Sequence, residues 1–385
     1  MKLVPLKDLG SIYTGNTPSK KERKFYEAKD IPFIKPDIIS DSKLSEITHT
    51  EEYISNLARN NARIIPKNSI LVTCIGSIGK IGITGPGEYA FNQQINAIVP
   101  NDGINVRYFA YCLLFNKKKL CEIANNAVVP IINKKQFSDF CVNINPDIKV
   151  QKDIVRTLDI LACIIKHRHS QLMKLDELVK CRFVELFGDP VANDKGWPIV
   201  RLDAIADIRI GPFGSLLHKE DYQIGNHALV NPSHIVEGKI KVDSTLSVSN
   251  DKYNELSAYW LNPGDIVMGR RGEMGRCAVV EHSGLICGTG SLIIRTHGQM
   301  KPYFLQNILS RPEYKKIIEV KAVGVTMMNL NVPIVSSLEV PLLPQEQQIE
   351  FLGFTHRIDK LRFVIQQSLD ETQKLFDSLM QEYFD

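Results

Sequence analysis

The strongest constraint on this chain is that it repeats itself. Sliding the sequence by 196 residues brings Val4, Leu6, Gly15 and Ser19 onto Val200, Leu202, Gly211 and Ser215. Pro36 and Ile39 fall on Pro232 and Ile235. Ile70, Gly76 and Gly79 fall on Ile266, Gly272 and Gly275, with Lys80 opposite Arg276, and Val129 and Asn133 fall on Val325 and Asn329. Single identities arise at any offset. Glycine, proline and apolar positions recurring in one order, without a gap, mark a duplication. A duplicated chain of 385 residues folds as two like units of ordinary domain size rather than around one oversized core.

Each copy ends in a segment of a different kind. Ile154, Leu158, Leu161, Ile165, Leu172, Leu175, Val179 and Leu186 follow spacings of four and three, interrupted by Arg168 and Arg182. That heptad predicts a coiled-coil helix, not a strand. Pro146 precedes it, and Gly188-Asp189-Pro190 closes it with helix-stopping residues. The second copy runs Phe351, Phe354, Ile358, Leu361, Ile365, Leu369, Phe376, Leu379 and Tyr383. Its four-plus-four spacing around Ile365 reads as a stutter that unwinds the supercoil locally. Residues 149–187 carry +3 and residues 345–384 carry −3. Two long apolar seams of opposite charge are most simply partners in one intramolecular coiled coil; the alternative is that each packs on its own domain. One long linker element between two similar units favours an antiparallel pair, with the units at opposite ends of a rod. A helix of ~33 residues rises roughly 50 Å.

Between the helices lie short apolar runs broken by Gly, Pro and Asn. Ile70-Leu71-Val72-Thr73, Ile95-Asn96-Ala97-Ile98-Val99, Ile266-Val267-Met268 and Ser291-Leu292-Ile293-Ile294 predict strands, and helical spacing returns near Tyr108–Phe115 and Tyr303–Leu309. The expected fold class is α+β: two tandem-duplicated mixed α+β domains, 1–148 and 189–344, with long helices over 149–188 and 345–385 that form an antiparallel coiled coil.

One loop per unit carries candidate contacts. Cys74-Ile75-Gly76-Ser77-Ile78-Gly79-Lys80 corresponds to Arg270-Arg271-Gly272-Glu273-Met274-Gly275-Arg276. Glycines let a backbone approach a surface closely, and Ser77, Lys80 or Arg276 can meet a phosphate. Arg270, Arg271 and Glu273 have the chemistry to address base edges, since Arg suits guanine and Glu suits cytosine. A structural strand turn with incidental charge accounts for the same residues. Asn92-Gln93-Gln94 offers amides of the kind that bond adenine, and Asn133-Lys134-Lys135 and Asn329 come late in each unit. Amides at strand ends more often cap turns. The runs Lys20–Lys24 and Lys117–Lys119 read as solvated faces; they make residues 1–148 +5, against zero for 188–344.

Several function classes drop out. The net charge of +4 is too small for a polybasic wrap-around nucleic-acid binder, though not for local basic patches. The eight cysteines include no C-x-x-C pair and read as buried, reduced thiols. Gly79-Lys80 resembles the end of a phosphate-binding loop, but Ile81 stands where Ser or Thr is required. Asn231-Pro232-Ser233-His234 departs from an amino-methyltransferase signature at Ser233 and His234. Pro36-Asp37 with Asp41-Ser42-Lys43 is too compact for a nuclease site, and neither a serine elbow nor H-E-x-x-H occurs. A chain non-catalytic by itself is expected, with no metal or cofactor of its own. The absence of a long apolar run and the polar start Met1–Asp8 lead to the expectation of a soluble, cytoplasmic protein without a membrane partner.

With these pieces in place the sequence resembles the specificity subunits of type I restriction–modification systems. Val4-Pro5-Leu6 through Gly15-Asn16-Thr17-Pro18-Ser19 looks like the opening of their first target-recognition domain. Gly211-Pro212-Phe213-Gly214-Ser215-Leu216, followed by Lys219-Glu220-Asp221-Tyr222, is similar to the start of the second. Ile266–Gly272 resembles the central strand and loop of such domains, and Pro344-Gln345-Glu346-Gln347-Gln348-Ile349 the start of the second long helix. The resemblance implies double-stranded DNA recognition, one half of a split site per domain, with the paired helices as a ruler. It also implies two methyltransferase subunits that bring S-adenosylmethionine and adenine N6 chemistry, and motor-nuclease subunits that use ATP and Mg. Cys74-Ile75 opposite Arg270-Arg271 indicates that the halves read different sequences, hence an asymmetric bipartite site. A self-contained nuclease and a coiled-coil adaptor are the competing readings.

Overall fold

The computed structural model describes residues 1–125, 129–213, 216–272, 275–322 and 329–385. Gly214, Ser215, Glu273, Met274 and Val325, singled out above, lie outside the described residues. The chain divides into two units, Met1–Gln171 with Ile365–Asp385, and Leu172–Val364.

In the first unit, five strands lie in the order Gly10–Thr14, Ile95–Pro100, Ile70–Thr73, Ile81–Thr84, Ser45–Ile47. A second sheet has the order Glu52–Ile54, Ile31–Ile34, Glu88–Phe91, Ile64–Pro66. Ile70–Thr73 is buried along its whole length because both faces are covered. Ile70 and Val72 meet the helix Val106–Phe115 through Tyr108, Phe109 and Cys112. Leu71, with Ile95 and Ala97, meets Ile34, Phe91 and Ile65 of the second sheet. A strand buried on both faces reads as a continuous apolar run rather than an alternation, which is why these strands were legible.

The second unit repeats this layering of helix, sheet and sheet. Its sheets have the orders Ala206–Ile210, Ser291–Thr296, Ile266–Gly269, Cys277–Val279 and Ser247–Val248, His227–Val230, Leu285–Cys287, Trp260–Leu261. Ile266 and Met268 face Phe304, Leu305 and Ile308 of the helix Pro302–Leu309, while Val267 faces Val230 and Cys287.

The repeat frame shifts late in each unit. Val4 pairs with Val142 and Val200 with Val340, so the closing strands are 198 positions apart, not 196. Two extra residues in the second copy correct the pairing of Asn133 with Asn329. The counterpart of Asn133 is Asn331. Each caps a helix, Asn133 accepting from the Gln136 N–H and Asn331 from the Ile334 N–H, both at 2.9 Å.

The long helices span Ile148–Phe187 and Gln345–Phe384. Gly188 stops the first with φ 73°, its N–H donating to the Val184 carbonyl. Within each unit the two helices run antiparallel. In the first, Ile154, Val155 and Leu158 pack with Phe376, Met380 and Phe384. In the second, Phe183 and Phe187 pack with Phe351, and Arg182 bonds Glu350 at 3.0 Å. A further cross-helix pair joins Arg362 to Asp176, with the basic residue on the helix of net negative charge. Local placement, rather than summed charge, therefore sets these contacts.

The stutter is overturned. Leu361 is 53% exposed, and the less exposed stripe passes instead through Phe351, Thr355, Ile358, Arg362, Ile365, Leu369, Thr372, Phe376, Leu379 and Tyr383. That series keeps the alternation of four and three. Arg362 holds a seam position because its aliphatic stem can lie along apolar surface while the guanidinium reaches Asp176. Thr355 and Thr372 satisfy their hydroxyls on the carbonyls of Leu352 and Ser368.

A buried glutamine fastens the start of each long helix. Gln151 Oε1 accepts the Asn105 N–H at 2.8 Å, and Nε2 donates to the Asn145 carbonyl at 2.7 Å. Gln348 does the same in the second unit, accepting from Lys301 N–H at 2.8 Å and donating to the Leu343 carbonyl at 2.7 Å. Asn105 and Lys301 are the residues preceding the helices that cover the sheets, and their N–H groups face helix starts that leave donors unsatisfied.

The cysteine expectation holds for half of the set. Cys74, Cys112, Cys277 and Cys287 are buried and free, whereas Cys121, Cys141, Cys163 and Cys181 are free and exposed. Cys163 and Cys181 miss the buried seam of the first long helix, so the heptad turns them outward.

Candidate nucleic-acid interface

Four segments of each unit meet at one place, and backbone hydrogen bonds hold them together. In the first unit the turn after Ile70–Thr73 leads away from the sheet at Cys74. Cys74 N–H donates to the Gln94 carbonyl at 2.8 Å, and its own carbonyl accepts from Ile132 at 2.9 Å. Gly76 N–H reaches the Pro130 carbonyl at 3.0 Å. The leading segment that follows Gly10–Thr14 joins through Gly15, where a Cβ would lie 2.1 Å from the Asn92 carbonyl oxygen. Only glycine permits that approach.

The second unit builds the same platform. Arg270 N–H donates to the Gly290 carbonyl at 2.9 Å, and Leu330 N–H to the Arg270 carbonyl at 3.0 Å. A Cβ on Gly211 would lie 2.1 Å from the Gly288 carbonyl oxygen. Gly76, Gly79, Gly272 and Gly275 all have φ between 73° and 80°, which explains the repeated glycines.

The side chains on this common frame differ. Ser77 is exposed at the tip of the first turn, and its carbonyl accepts the Thr73 hydroxyl, which in turn accepts the Lys80 N–H at 3.0 Å. Lys80 lies at the base of the turn, half-buried, with Nζ donating to the Pro36 carbonyl at 3.3 Å. Asn92 is buried and spends its amide on Gln94, through contacts of 2.9 and 3.1 Å. Gln93 is exposed and accepts the Thr17 hydroxyl at 2.7 Å. Lys134 and Lys135 are exposed in the first turn of the helix Lys134–Asp139, where two cations oppose the helix dipole.

In the second unit Arg271 is exposed beside the positive-φ Gly272. Arg270 is buried, and Nε donates to Asn329 Oδ1 at 3.0 Å. Burial, and then the Arg271 charge, lower its proton affinity below the ordinary arginine value. Asn329 is thus the partner that orients Arg270. Arg276 lines a cavity of about 460 Å³ together with Glu237, Gln306, Ser310 and Lys315. Glu273 lies outside the described residues.

The structure therefore gathers Ser77, Gln93 and Gln94 on one platform and Arg270, Arg271 and Asn329 on the other. Lys80 and Arg276 sit at the turn bases, and Asn92 serves the turn itself. Sequence reasoning took the leading segments only as the openings of the two domains and gave no contact role to Thr17 in the first unit or Phe213 in the second. The glycines repeated at Gly15 and Gly211 were the available signal. Among the described residues no three His, Cys, Asp or Glu side chains are grouped to hold a metal ion, and no helix is long and apolar enough to cross a membrane.

Comparison with known proteins identifies this architecture. Residues 1–174 match the family model of the type I restriction modification DNA specificity domain. Solved structures extend the likeness over the whole chain. The type I restriction-modification S subunit of M. genitalium covers 100% of this chain, over 96% of its own, with TM-score 0.61 and 14% identity. The first part of the chain is thus similar to the DNA specificity domain of type I restriction–modification systems, and the fold of the whole chain is that of an S subunit. A chain of the type I R-M system, from work on its complex assembly and conformational transition, matches over 99% of this chain and 97% of its own length, with TM-score 0.63 and 14% identity. Among curated relatives, the HindI specificity subunit of Haemophilus influenzae is 41% identical over 104 residues, which is 26% of this chain and 22% of that protein. The MjaIX specificity subunit of Methanocaldococcus jannaschii is 24% identical over 290 residues, 70% of this chain and 65% of that protein. The matches thus span less than two thirds of either relative.

Proposed function

We propose that this chain is a specificity subunit that reads DNA for enzymes it does not itself contain. Each platform addresses one half of a bipartite, asymmetric site in double-stranded DNA, and the long helices set the spacing between halves. Two methyltransferase subunits dock on it and supply S-adenosylmethionine for methylation of adenine N6. Motor-nuclease subunits join the same assembly and supply ATP- and Mg-dependent cleavage. The chain itself is non-catalytic and works in the cytoplasm.

The observation that carries this reading is one backbone platform built twice with different side chains. Arg270 and Arg271 in the second unit stand where the first has Cys74 and Ile75. Equal frames with unequal edges are what an asymmetric two-part target requires, because hydrogen bonds to base edges carry sequence while backbone contacts carry register. Ser77, Lys80, Gln93, Lys134, Lys135, Arg271 and Arg276 are the proposed DNA contacts, with Arg270 held by Asn329.

Methylation mapping in cells that co-express the chain with its methyltransferase tests the proposal. The expected result is N6-methyladenine in a split, non-palindromic motif. A palindromic motif would refute the asymmetry, and no sequence-dependent methylation would refute the function. Removing one heptad from both long helices should shorten the unspecified spacer and leave each half-site unchanged; an unaltered spacer would refute the ruler.

A further inference from the structure

The leading segment of the second unit places a large apolar side chain where none is needed for folding. Gly211 is pinned by its N–H to the Ser291 carbonyl at 3.1 Å and by its close approach to Gly288. Pro212 follows, buried, with φ fixed by its ring. Phe213 comes next and is 63% exposed. The backbone is thus anchored on its near side while the aromatic ring is left in solvent, beside the platform that carries Arg270 and Arg271.

At the equivalent position the first unit has Thr17, whose hydroxyl is bonded to Gln93 at 2.7 Å. The other highly exposed apolar residue of this region, Ile224 at 81%, precedes the strand His227–Val230. The platform instead touches the far end of that strand, where Gly288 N–H donates to the Val230 carbonyl at 3.0 Å. Among the described residues of this leading segment Phe213 is therefore the aromatic left exposed, in a unit whose platform carries the exposed cation Arg271.

We propose that Phe213 is a wedge that stacks on, or partly parts, one base step of the second half-site, and that the first half-site receives no such contact. The inference rests on the DNA-reading function proposed above. Aromatic rings offer every base a π-face, so the contact adds affinity and local distortion without base-edge hydrogen bonds. Half-site two then depends on the stacking and deformability of the step that Phe213 meets, besides the edges read by Arg271.

The experiment uses the complex with its methyltransferase and a duplex carrying the mapped site. 5-Iodopyrimidines are substituted one position at a time through both half-sites, irradiated, and the crosslinked peptides identified by mass spectrometry. A crosslink to Phe213 from one step of the second half-site is expected, absent in Phe213→Ala and retained in Phe213→Trp. Phe213→Ala should weaken duplex binding by roughly 5- to 150-fold, the range measured for losing one aromatic–base stack, with first-half-site contacts unchanged. An unchanged affinity in Phe213→Ala, with no crosslink to Phe213, overturns the wedge while leaving the footprint and the DNA-reading function intact. Loss of methyltransferase association in Phe213→Ala would assign the ring to a protein partner and overturn it equally. Absence of any sequence-dependent footprint for the unaltered complex would remove both proposals.

Discussion

Replacing Gln348 by Ala tests how each long helix is fastened to the domain it leaves. The side chain is fully buried, accepts from the Lys301 N–H and donates to the carbonyls of Leu343 and Gln299. Truncation strands one backbone donor and at least one acceptor inside the protein. An orphaned buried polar group costs about 1–3 kcal/mol. Two groups, partly relieved by water entering the space of the lost amide, bring the expected loss to about 3 kcal/mol. For a unit of this size that lowers the melting temperature by roughly 6–12 °C. Circular-dichroism melting reads the loss, and hydrogen exchange at the Lys301 amide reads its cause.

Two variants sharpen the same test. Gln151→Ala should behave alike in the first unit, somewhat more mildly, since Gln151 bonds two backbone groups, the Asn105 N–H and the Asn145 carbonyl, where Gln348 bonds three. Gln348→Glu is nearly isosteric and pH-dependent. A buried carboxylate has no proton for the Leu343 carbonyl, and burial raises its pKa above that of the unfolded chain. A folded-state pKa raised this way contributes stability that is lost as pH rises, so the variant should recover toward the parent as pH falls. A Gln348→Ala melt within about 1 kcal/mol of the parent, with Lys301 exchange unaltered, would refute the reasoning.

Three further outcomes are expected. Arg295→Ala leaves the nearly inaccessible carboxylate of Asp265 without the two 2.7 Å bonds it receives, and should cost about 2–3 kcal/mol by urea unfolding, below the full cost of a broken buried pair because the Arg295 side is open to water. In the native protein a thiol reagent should titrate four cysteines, Cys121, Cys141, Cys163 and Cys181; burial pushes the Cys74 and Cys112 thiols up to about 12 and Cys277 to about 11, so labelling of these without unfolding would contradict their placement. Burial also pushes the Tyr108 hydroxyl up to about 12 from 10.0; the folded value exceeds the unfolded one, so stability should fall as pH climbs from 10 through 12, and Tyr108→Phe should flatten that slope by one proton in denaturant midpoints measured against pH.

The parts of this fold legible in the sequence are those where burial dictates residue type. Ile70–Thr73 and Ile266–Gly269 are covered on both faces and are apolar throughout. The seam of the first long helix was visible because few polar residues intrude on it. The second seam was misread at one point because Leu361 is apolar and Arg362 is not, although the long arginine stem serves the seam and Leu361 faces water. Gln151 and Gln348 were invisible for another reason. An amide reads as a surface residue, and the two lie 197 positions apart, outside the frame of 196 in which the repeat was recognised. Phe213 was read only as part of the motif that opens the second domain, with no contact role. Its exposure is a tertiary fact, fixed by where Gly211 and Pro212 are held.

The changing offset between the copies also locates where they were free to diverge. The frame is 196 from Gly15 and Gly211 through Cys74 and Arg270, and 198 where the chain returns, at the bridges Ile75 to Ile131 and Arg271 to Asn329. The two added residues thus fall between the sheet and the segment that touches the platform again. That return segment supplies Asn329 to Arg270 in the second unit, whereas in the first Cys74 Sγ accepts from Asn96 Nδ2 at 3.3 Å, inside the sheet. One position is an arginine oriented toward the platform and the other a buried thiol, with matching backbone hydrogen bonds at both. The glycines, which need positive φ or close approach, cannot vary without breaking the turn; the side chains between them can. A frame of this kind separates the requirement to fold from the proposed requirement to read different half-sites. Exchanging Cys74-Ile75 and Arg270-Arg271 between units should then alter the methylated motif at a higher rate than it alters stability, and a swap that unfolds either unit would show that the two requirements are not separable.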